Sequence, residues 1–416
     1  MTKKDITDKA RDSAVYVSAF VKWTFFSLIV GVFGGGVGAG FSHLISYVTD
    51  VRMNNDWLLY LLPLGGVVIA FIYHILKVEH KGTNQVFEAV RSEEKVPCRL
   101  APAIVLGAGI THLLGGSAGK EGAALQIGGS VATLIGRIFR TDEKDRHILT
   151  VSGMAAVFAA VFGTPIGAAV FAAEVVSVGV ISLSALYPSF ASALVAYLVA
   201  VKLGVHPERF NVDIVPELTA ESILKVVGAA VIAAVVSIIF CLAMKHSHKA
   251  FEKYIRNPYL RAVAGGVTVI LLTLLIGTRD YNGSGIHIIE GIFHGEEVSK
   301  VAFLLKIIFT AITIGCGFRG GEIVPTLFIG ATLGFTMADA VGLPVAFCAA
   351  IGMMALFGSV TNCPIATVFL ALELFGGEGI IFYALAVFVS FVLSGYFSLY
   401  TGQKIVFSKV KDEARE

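Results

Sequence analysis

Two glycine-rich turns carry the residues of this chain that could do chemistry. The first, Gly115-Gly116-Ser117-Ala118-Gly119-Lys120-Glu121-Gly122, stands between the apolar runs Leu100–Leu114 and Ala123–Ile135. A glycine-rich turn that opens a helix inside a membrane bares backbone N–H groups with no intrahelical partner, and such donors attract anions. An ionisable side chain at that depth is costly, which makes Glu121 a functional candidate by default. Only three residues separate Gly115 from Gly119, and Glu121 stands where a P-loop has its magnesium-holding hydroxyl, so the turn does not read as an ATPase motif. A Lys-Glu dipeptide is ordinarily an ion pair at a solvated helix end, but the apolar flanks argue against that here. The second turn, Gly317-Phe318-Arg319-Gly320-Gly321-Glu322-Ile323-Val324-Pro325, sets Gly119 against Gly321 and Glu121 against Ile323. Two helix N-termini meeting near mid-membrane make a cradle of backbone amides, with Gly119, Gly122, Ile323 and Val324 at its rim. The alternative is a glycine-rich packing surface between membrane helices.

The elements that must position these turns are duplicated. Gly153-Met154-Ala155-Ala156-Val157-Phe158 through Pro165 to Glu174 recurs as Gly352-Met353-Met354-Ala355-Leu356-Phe357 through Pro364 to Glu373, an offset of 352 − 153 = 199 residues. Leu125-Gln126-Ile127-Gly128 answers Leu327-Phe328-Ile329-Gly330, and Gly82-Thr83-Asn84 answers Gly283-Ser284-Gly285. Duplicated membrane halves with Gly- and Pro-broken helices are the pattern of a transporter with a buried ion site between repeats. Composition agrees: of 416 residues 56% are hydrophobic, only 15% are charged and 45 are glycine, with a mean hydropathy of +0.80. Runs such as Tyr16–Tyr47, Trp57–Leu76, Ile181–Leu203, Ile223–Met244, Leu260–Ile276 and Ile380–Phe397 can cross roughly 30 Å of hydrocarbon. Gly122–Ile135, Thr150–Val161, Ile166–Val178, Pro325–Ala338 and Cys363–Phe375 read as half-helices or tilted segments. The expected class is therefore all-α: one polytopic membrane domain over 1–416, with repeats at about 16–204 and 222–407 and no cytosolic regulatory module.

Charge sets the expected orientation. Basic residues gather at Lys3–Arg11, Lys77–Arg99, Arg137–Arg146, Lys245–Arg261 and Lys404–Arg415, whereas Val205–Glu221 is net acidic. Both termini are expected in the cytoplasm and the Val205–Glu221 connection outside. No cleavable signal peptide is visible. The net charge of +2 and the lack of a basic tract with interleaved aromatics give no nucleic-acid partner. Five scattered cysteines read as reduced, buried thiols. The ten histidines show no metal-ligand spacing beyond His246 and His248, and no metal or cofactor is expected. No catalytic triad, H-E-x-x-H or carboxylate pair suggests an enzyme.

The order of Gly82-Thr83-Asn84, Gly119-Lys120-Glu121-Gly122, Gly320-Gly321-Glu322-Ile323-Val324-Pro325 and Gly402-Gln403-Lys404-Ile405-Val406-Phe407-Ser408 resembles the CLC family of anion channels and proton-coupled anion antiporters over nearly the whole chain. The resemblance implies a homodimer of inverted-repeat protomers in a bacterial inner membrane, surrounded by lipid, each with its own anion pathway. It also implies that Glu121 is the external gate and proton carrier. The residue type suits the task, since a carboxylate competes with a halide for a positive cradle and its neutral form does not.

Departures from the chloride pattern point to a branch. Gly-Thr-Asn-Gln-Val at 82–86 replaces the usual Gly-Ser-Gly-Ile-Pro, so the side-chain ligand is either Thr83 or Asn84. Ala123 replaces a proline, and Ile323-Val324 replace Phe-Ala. The pore tyrosine aligns with Phe407, while Tyr400 is available from another register. The second, inner proton-transfer glutamate of chloride/proton antiporters falls at Val175. This set resembles the bacterial branch that exchanges fluoride for protons, in which Glu322 takes part of the inward proton route; the alternative is a structural acid paired with Arg319. Phe87 offers either a positive ring edge to a small anion or plain packing. Glu174 and Glu373, at equivalent repeat positions, are expected to support the fold by hydrogen bonding. The expected function is fluoride/proton antiport, with chloride/proton antiport or a passive halide channel as alternatives.

Overall fold

The computed structural model of the chain describes residues 3–78, 82–92 and 96–411. Parts of the basic stretches Lys77–Arg99 and Lys404–Arg415 lie outside the described residues. A first series of helices runs α1 (Lys3–Met53), α2 (Leu62–Leu76), α3 (Asn84–Arg91), α4 (Leu100–Leu113), α5 (Glu121–Ile138), α6 (Glu143–Phe162), α7 (Pro165–Glu174) and α8 (Leu183–Lys202). A second runs α9 (Ala220–Tyr254), α10 (Pro258–Ile276), α11 (Ile286–Phe293), α12 (Ala302–Gly315), α13 (Ile323–Val341), α14 (Val345–Thr361), α15 (Pro364–Phe375) and α16 (Ile380–Leu393). Counterparts match in length where the sequence repeats: α3 and α11 have 8 residues each, α4 and α12 have 14 each. A parallel pair of two-residue strands, β1 (Ser177–Val178) and β2 (Lys404–Ile405), joins the two halves.

Among the described residues, seven helices are long and apolar enough to cross a membrane. Two of them correct the expected half-helices: Thr150–Val161 is the apolar part of the 20-residue α6, and Pro325–Ala338 that of the 19-residue α13. Polar first turns lengthen α6, whose start is capped by the Asp142 carboxylate accepting from Asp145 N–H. The expected basic loop at Lys245–Arg261 begins as helix, because α9 continues to Tyr254 and carries His246 and His248. Large apolar side chains face outward on the peripheral helices, among them Leu183, Leu224 and Leu275. Helices α6, α13 and α14 are buried along most of their length. An apolar exterior around a packed interior is what a hydrocarbon solvent demands.

The repeated glycines explain how the halves close up. Helices α5 and α6 cross at Gly128 and Gly153, where a Cβ on Gly128 would come within 2.1 Å of the Gly153 carbonyl oxygen. The matching crossing of α13 and α14 places Gly330 so that its Cβ would lie 2.5 Å from the Gly352 carbonyl oxygen. Backbone approach of this kind substitutes for the missing hydrophobic drive between helices in lipid.

The repeats also exchange caps. Glu373 at the end of α15 accepts from Ile166 N–H at 3.0 Å and Gly167 N–H at 2.7 Å, the start of α7. Glu174 at the end of α7 accepts from Ile365 N–H at 3.2 Å and Ala366 N–H at 2.7 Å, the start of α15. Each short helix thus needs the other's carboxylate, because a proline opening leaves its next N–H groups without intrahelical partners. Glu174→Ala and Glu373→Ala are each expected to cost about 2–3 kcal/mol, with the more buried Glu174 losing more, since bonds to a charged group are lost and the amides stay buried. Thermal midpoints of the purified variants in detergent check this; unchanged midpoints would refute it.

Candidate anion and proton site

Helices α5 and α13 begin face to face. Gly119 N–H donates to the Gly321 carbonyl and Gly321 N–H donates to the Gly119 carbonyl, both at 2.7 Å, an antiparallel bridge of one residue from each half. Only glycine fits: a Cβ on Gly122 would meet Gly321 Cα at 2.8 Å, and one on Gly321 would meet Gly122 N at 2.4 Å. Neither helix start has a side-chain cap. The pair of bare N-termini, with Ile323 and Val324 buried beside Gly119 and Gly122, is an electropositive pocket of backbone amides.

Glu121 occupies this pocket. It is fully buried, its Oε2 accepts from Lys120 N–H at 3.0 Å, and its Oε1 has no hydrogen-bond partner. A Cβ at Gly119 would lie 2.9 Å from Oε2, so the carboxylate folds back over the start of its own helix. The Lys120 ammonium turns the other way, 3.5 Å from Ser42 Oγ and 3.8 Å from Glu208 Oε1. The adjacent lysine and glutamate therefore do not pair with each other.

Glu322 flanks the opposite side of the bridge. Its Oε2 is buried without a hydrogen-bond partner and lies 3.3 Å from where a Gly122 Cβ would be. Arg319 places its guanidinium over the Tyr73 ring, 4.3 Å from the centroid, and no ion pair joins it to Glu322. The structural-acid reading of Glu322 thus lacks its proposed partner.

Beyond Gly122 the pocket is continued by α3 and the C-terminal turn. Thr83 is buried at the start of α3, and its Oγ1 accepts from Gln126 Nε2 at 3.4 Å. The same Gln126 amide reaches the Gly122 carbonyl at 3.4 Å, so it links Thr83 to the first turn of α5. Gln126 was legible only as part of a repeated tetrapeptide; a buried amide five residues after Glu121 in an apolar helix was the available signal. Asn84 has both amide atoms committed elsewhere: Nδ2 donates to Thr401 Oγ1 at 3.0 Å and Oδ1 accepts from Gly402 N–H at 2.8 Å. Arg91 donates to the Gly402 carbonyl. Asn84 is a clasp on the C-terminal turn, while Thr83 faces Gln126.

That turn carries Tyr400, not Phe407, into the interior. Tyr400 is buried with its hydroxyl unpartnered, its ring edge-on to Phe87 at 5.1 Å and 86°, and Glu322 is within electrostatic range of it. Phe407 is 42% exposed, packs on Gly179, and is held there because the β1–β2 pairing carries the chain outward past Val178. The sequence left Phe407 and Tyr400 both open for this position; the fold turns Tyr400 inward and Phe407 outward. Phe87 is fully buried against Tyr400.

Residues 65–395 match the family described as Voltage gated chloride channel. The chain is 32% identical over 396 residues to a chloride/fluoride channel protein of Pseudomonas syringae pv. tomato, covering 93% of this chain and 87% of that one. It is 26% identical over 389 residues to an H(+)/Cl(-) exchange transporter of Vibrio vulnificus, covering 84% and 81% of the two chains. Among solved structures, a CLC-type fluoride/proton antiporter superposes with a TM-score of 0.90 at 32% identity, covering 93% of this chain and 98% of that one. A slow cyanobacterial Cl-/H+ antiporter, 19% identical, shares the fold with a TM-score of 0.76 over 89% of this chain and 94% of that one. With its duplicated helices, bridged glycine turns and buried glutamate, the chain belongs to the CLC family of voltage-gated chloride channels and their antiporter relatives.

Proposed function

We propose that this protein exchanges fluoride for protons, with Glu121 as the group that both ions use. The observation that carries the reading is the Glu121 carboxylate lying in an uncapped pair of helix N-termini, held by one backbone N–H and otherwise unpartnered. A halide and this carboxylate seek the same positive pocket, so one must leave for the other to bind. Protonation removes the charge that holds Glu121 there. The freed pocket then accepts an anion from the side lined by Thr83, Phe87 and Tyr400, and the neutral side chain no longer blocks its exit. Return of the ionised carboxylate expels the anion and delivers the proton to the opposite side.

Glu322 serves as the inward proton route in this reading. Glu174 has both oxygens committed to α15, and the next residue, Val175, is buried and apolar. Glu322 instead has a free buried oxygen beside Gly122. Fluoride over chloride is supported by the chloride/fluoride name of the bacterial relative and by the fluoride/proton antiporter whose structure matches over nearly its full length. Fluoride keeps its water more tightly than chloride, so the cradle must replace it with several donors. The amides at Lys120–Gly122 and Ile323–Val324 together with Thr83 supply that number, the Gly119 N–H being held by the Gly321 carbonyl. We further read the chain as one membrane unit with repeats at about 16–204 and 222–407. It sits as a homodimer in a bacterial inner membrane, with both termini cytoplasmic and Val205–Glu221 outside, a reading supported by the basic stretches and the bacterial relatives.

In proteoliposomes the wild type should release fluoride faster than chloride while taking up protons, and Glu121→Gln should abolish the proton movement, because an amide carries no titratable charge. An ion-selective electrode and a pH electrode in one vessel read both; equal chloride and fluoride rates would shift the assignment to chloride/proton exchange, and coupled proton uptake in the glutamine variant would remove Glu121 from its role. Thr83→Ala should weaken fluoride affinity by about tenfold, the value of one anion hydrogen bond. Asn84→Ala should lower turnover through a loosened C-terminal turn and leave fluoride affinity near wild type; calorimetric fluoride titrations with the ranking reversed would make Asn84 the ligand.

A further inference from the structure

Two cations are buried near the Glu208 flank of the cradle with no carboxylate among the described residues to pair with. Lys306 of α12 is fully buried; its ammonium donates to the Tyr281 carbonyl at 3.2 Å and the Gly283 carbonyl at 2.8 Å, and lies 4.9 Å from the centre of the Phe328 ring. Arg52, in the last turn of α1, is 9% exposed; Nη1 donates to the His112 carbonyl at 3.3 Å and Nη2 meets the Met53 sulfur at 3.8 Å. Gly283 packs so closely under that guanidinium that a Cβ would fall 2.0 Å from Nη1. The acids of this flank are engaged or distant: Asp56 pairs with Arg279, Glu208 pairs with Lys120, and Asp280 and Glu296 come within ion-pair distance of neither cation.

A third group completes the cluster. His112, at the end of α4, is 1% exposed, and neither ring nitrogen has a hydrogen-bond partner. Its ring lies against the backbone of Gly119, and the charged groups acting on it are Arg52, Lys120 and Lys306. The backbone here is tied into one frame: Gly283 N–H donates to the Gly116 carbonyl at 3.1 Å, and Asn282 Nδ2 donates to the Gly115 carbonyl at 2.9 Å. The turn before α5 and the turn before α11 thus enclose the cluster from the two halves.

Burying a charge is tolerated where a counter-charge or a full set of hydrogen bonds compensates it. Carbonyls alone compensate Lys306 and Arg52, and donors are left over. Lys306 has three N–H donors and uses two; Arg52 has five and uses one on oxygen; a neutral His112 offers one more. We propose that Arg52, Lys306 and His112 form a second halide site, separate from the Glu121 cradle and next to it on the Glu208 face, where an anion waits before it enters the cradle or after it leaves. The site rests on the halide-antiport reading and adds a ligand position that the Glu121 mechanism does not require. A small monovalent anion suits it, because the donors come from three different helices and the Arg52 fork already spends Nη1 on the His112 carbonyl, so it is not free to grip a larger oxyanion with both arms.

The test is the fluoride KM measured separately at each face, in right-side-out and inverted membrane vesicles, with an ion-selective electrode. Arg52→Met and His112→Leu should each raise KM at the Glu208 face by about tenfold, the size of one lost charge-assisted hydrogen bond, and leave KM at the opposite face as in wild type. Arg52→Lys, which keeps the charge, and His112→Asn, which keeps an N–H donor, should recover most of the loss. A structural role would instead move both faces together and would not be rescued by the conservative pair. If the variants fold as monodisperse protein and KM at the Glu208 face is unchanged, or both faces shift equally, the second site does not exist while antiport stands. Wild-type vesicles that move no halide at all would overturn both readings.

Discussion

The reciprocal pair of backbone hydrogen bonds between Gly119 and Gly321 is the constraint on which the site depends. It fixes the starts of α5 and α13 against each other, one from each half of the chain, and forbids side chains at Gly122 and Gly321. With no cap on either helix, the N–H groups of two first turns converge inside a structure whose exterior is apolar. Such donors in a low-dielectric setting demand a negative partner. Glu121 supplies it in this structure, and the gate proposed for that residue follows from the cradle.

The exchange of caps between Glu174 and Glu373 performs the same task in a different chemistry. There the helix starts are satisfied permanently by carboxylates from the other repeat. The comparison sets two kinds of helix terminus apart: Glu174 and Glu373 each place both oxygens on two amides, whereas Glu121 and Glu322 each keep a buried oxygen without a hydrogen-bond partner, and theirs are the termini proposed to exchange ions.

Much of this was legible before any coordinates. The repeat offset aligned Gly119 with Gly321 and Glu174 with Glu373; the two glycines meet in space and each glutamate caps the other repeat's short helix, because equivalence under a pseudo-two-fold relation becomes reciprocal contact near the axis. The helix-breaking glycines and prolines located the short helices. Register failed where the repeat gave no guide. Phe407 and Tyr400 stayed open as alternatives because motif spacing cannot foresee the β1–β2 pairing that diverts the chain after Lys404. Thr83 and Asn84 could not be separated because neighbouring residues at a helix start point in different directions, and only the clasp on Thr401 and Gly402 reveals which is engaged. The lengths of α6 and α13 were underestimated because the polar first turns of α6, and the Ile323-Val324 start and Asp339–Val341 end of α13, lie outside the runs bounded by Thr150 and by Pro325.

Competition between the Glu121 carboxylate and a halide for one pocket is the central claim, and equilibrium fluoride binding as a function of pH tests it most directly. Protonation removes the competing charge, so fluoride should bind the wild type more tightly as the pH falls from neutral to acid. That slope should disappear when residue 121 cannot ionise. Fluoride affinity that is independent of pH in the wild type, or that weakens on acidification, would contradict the account.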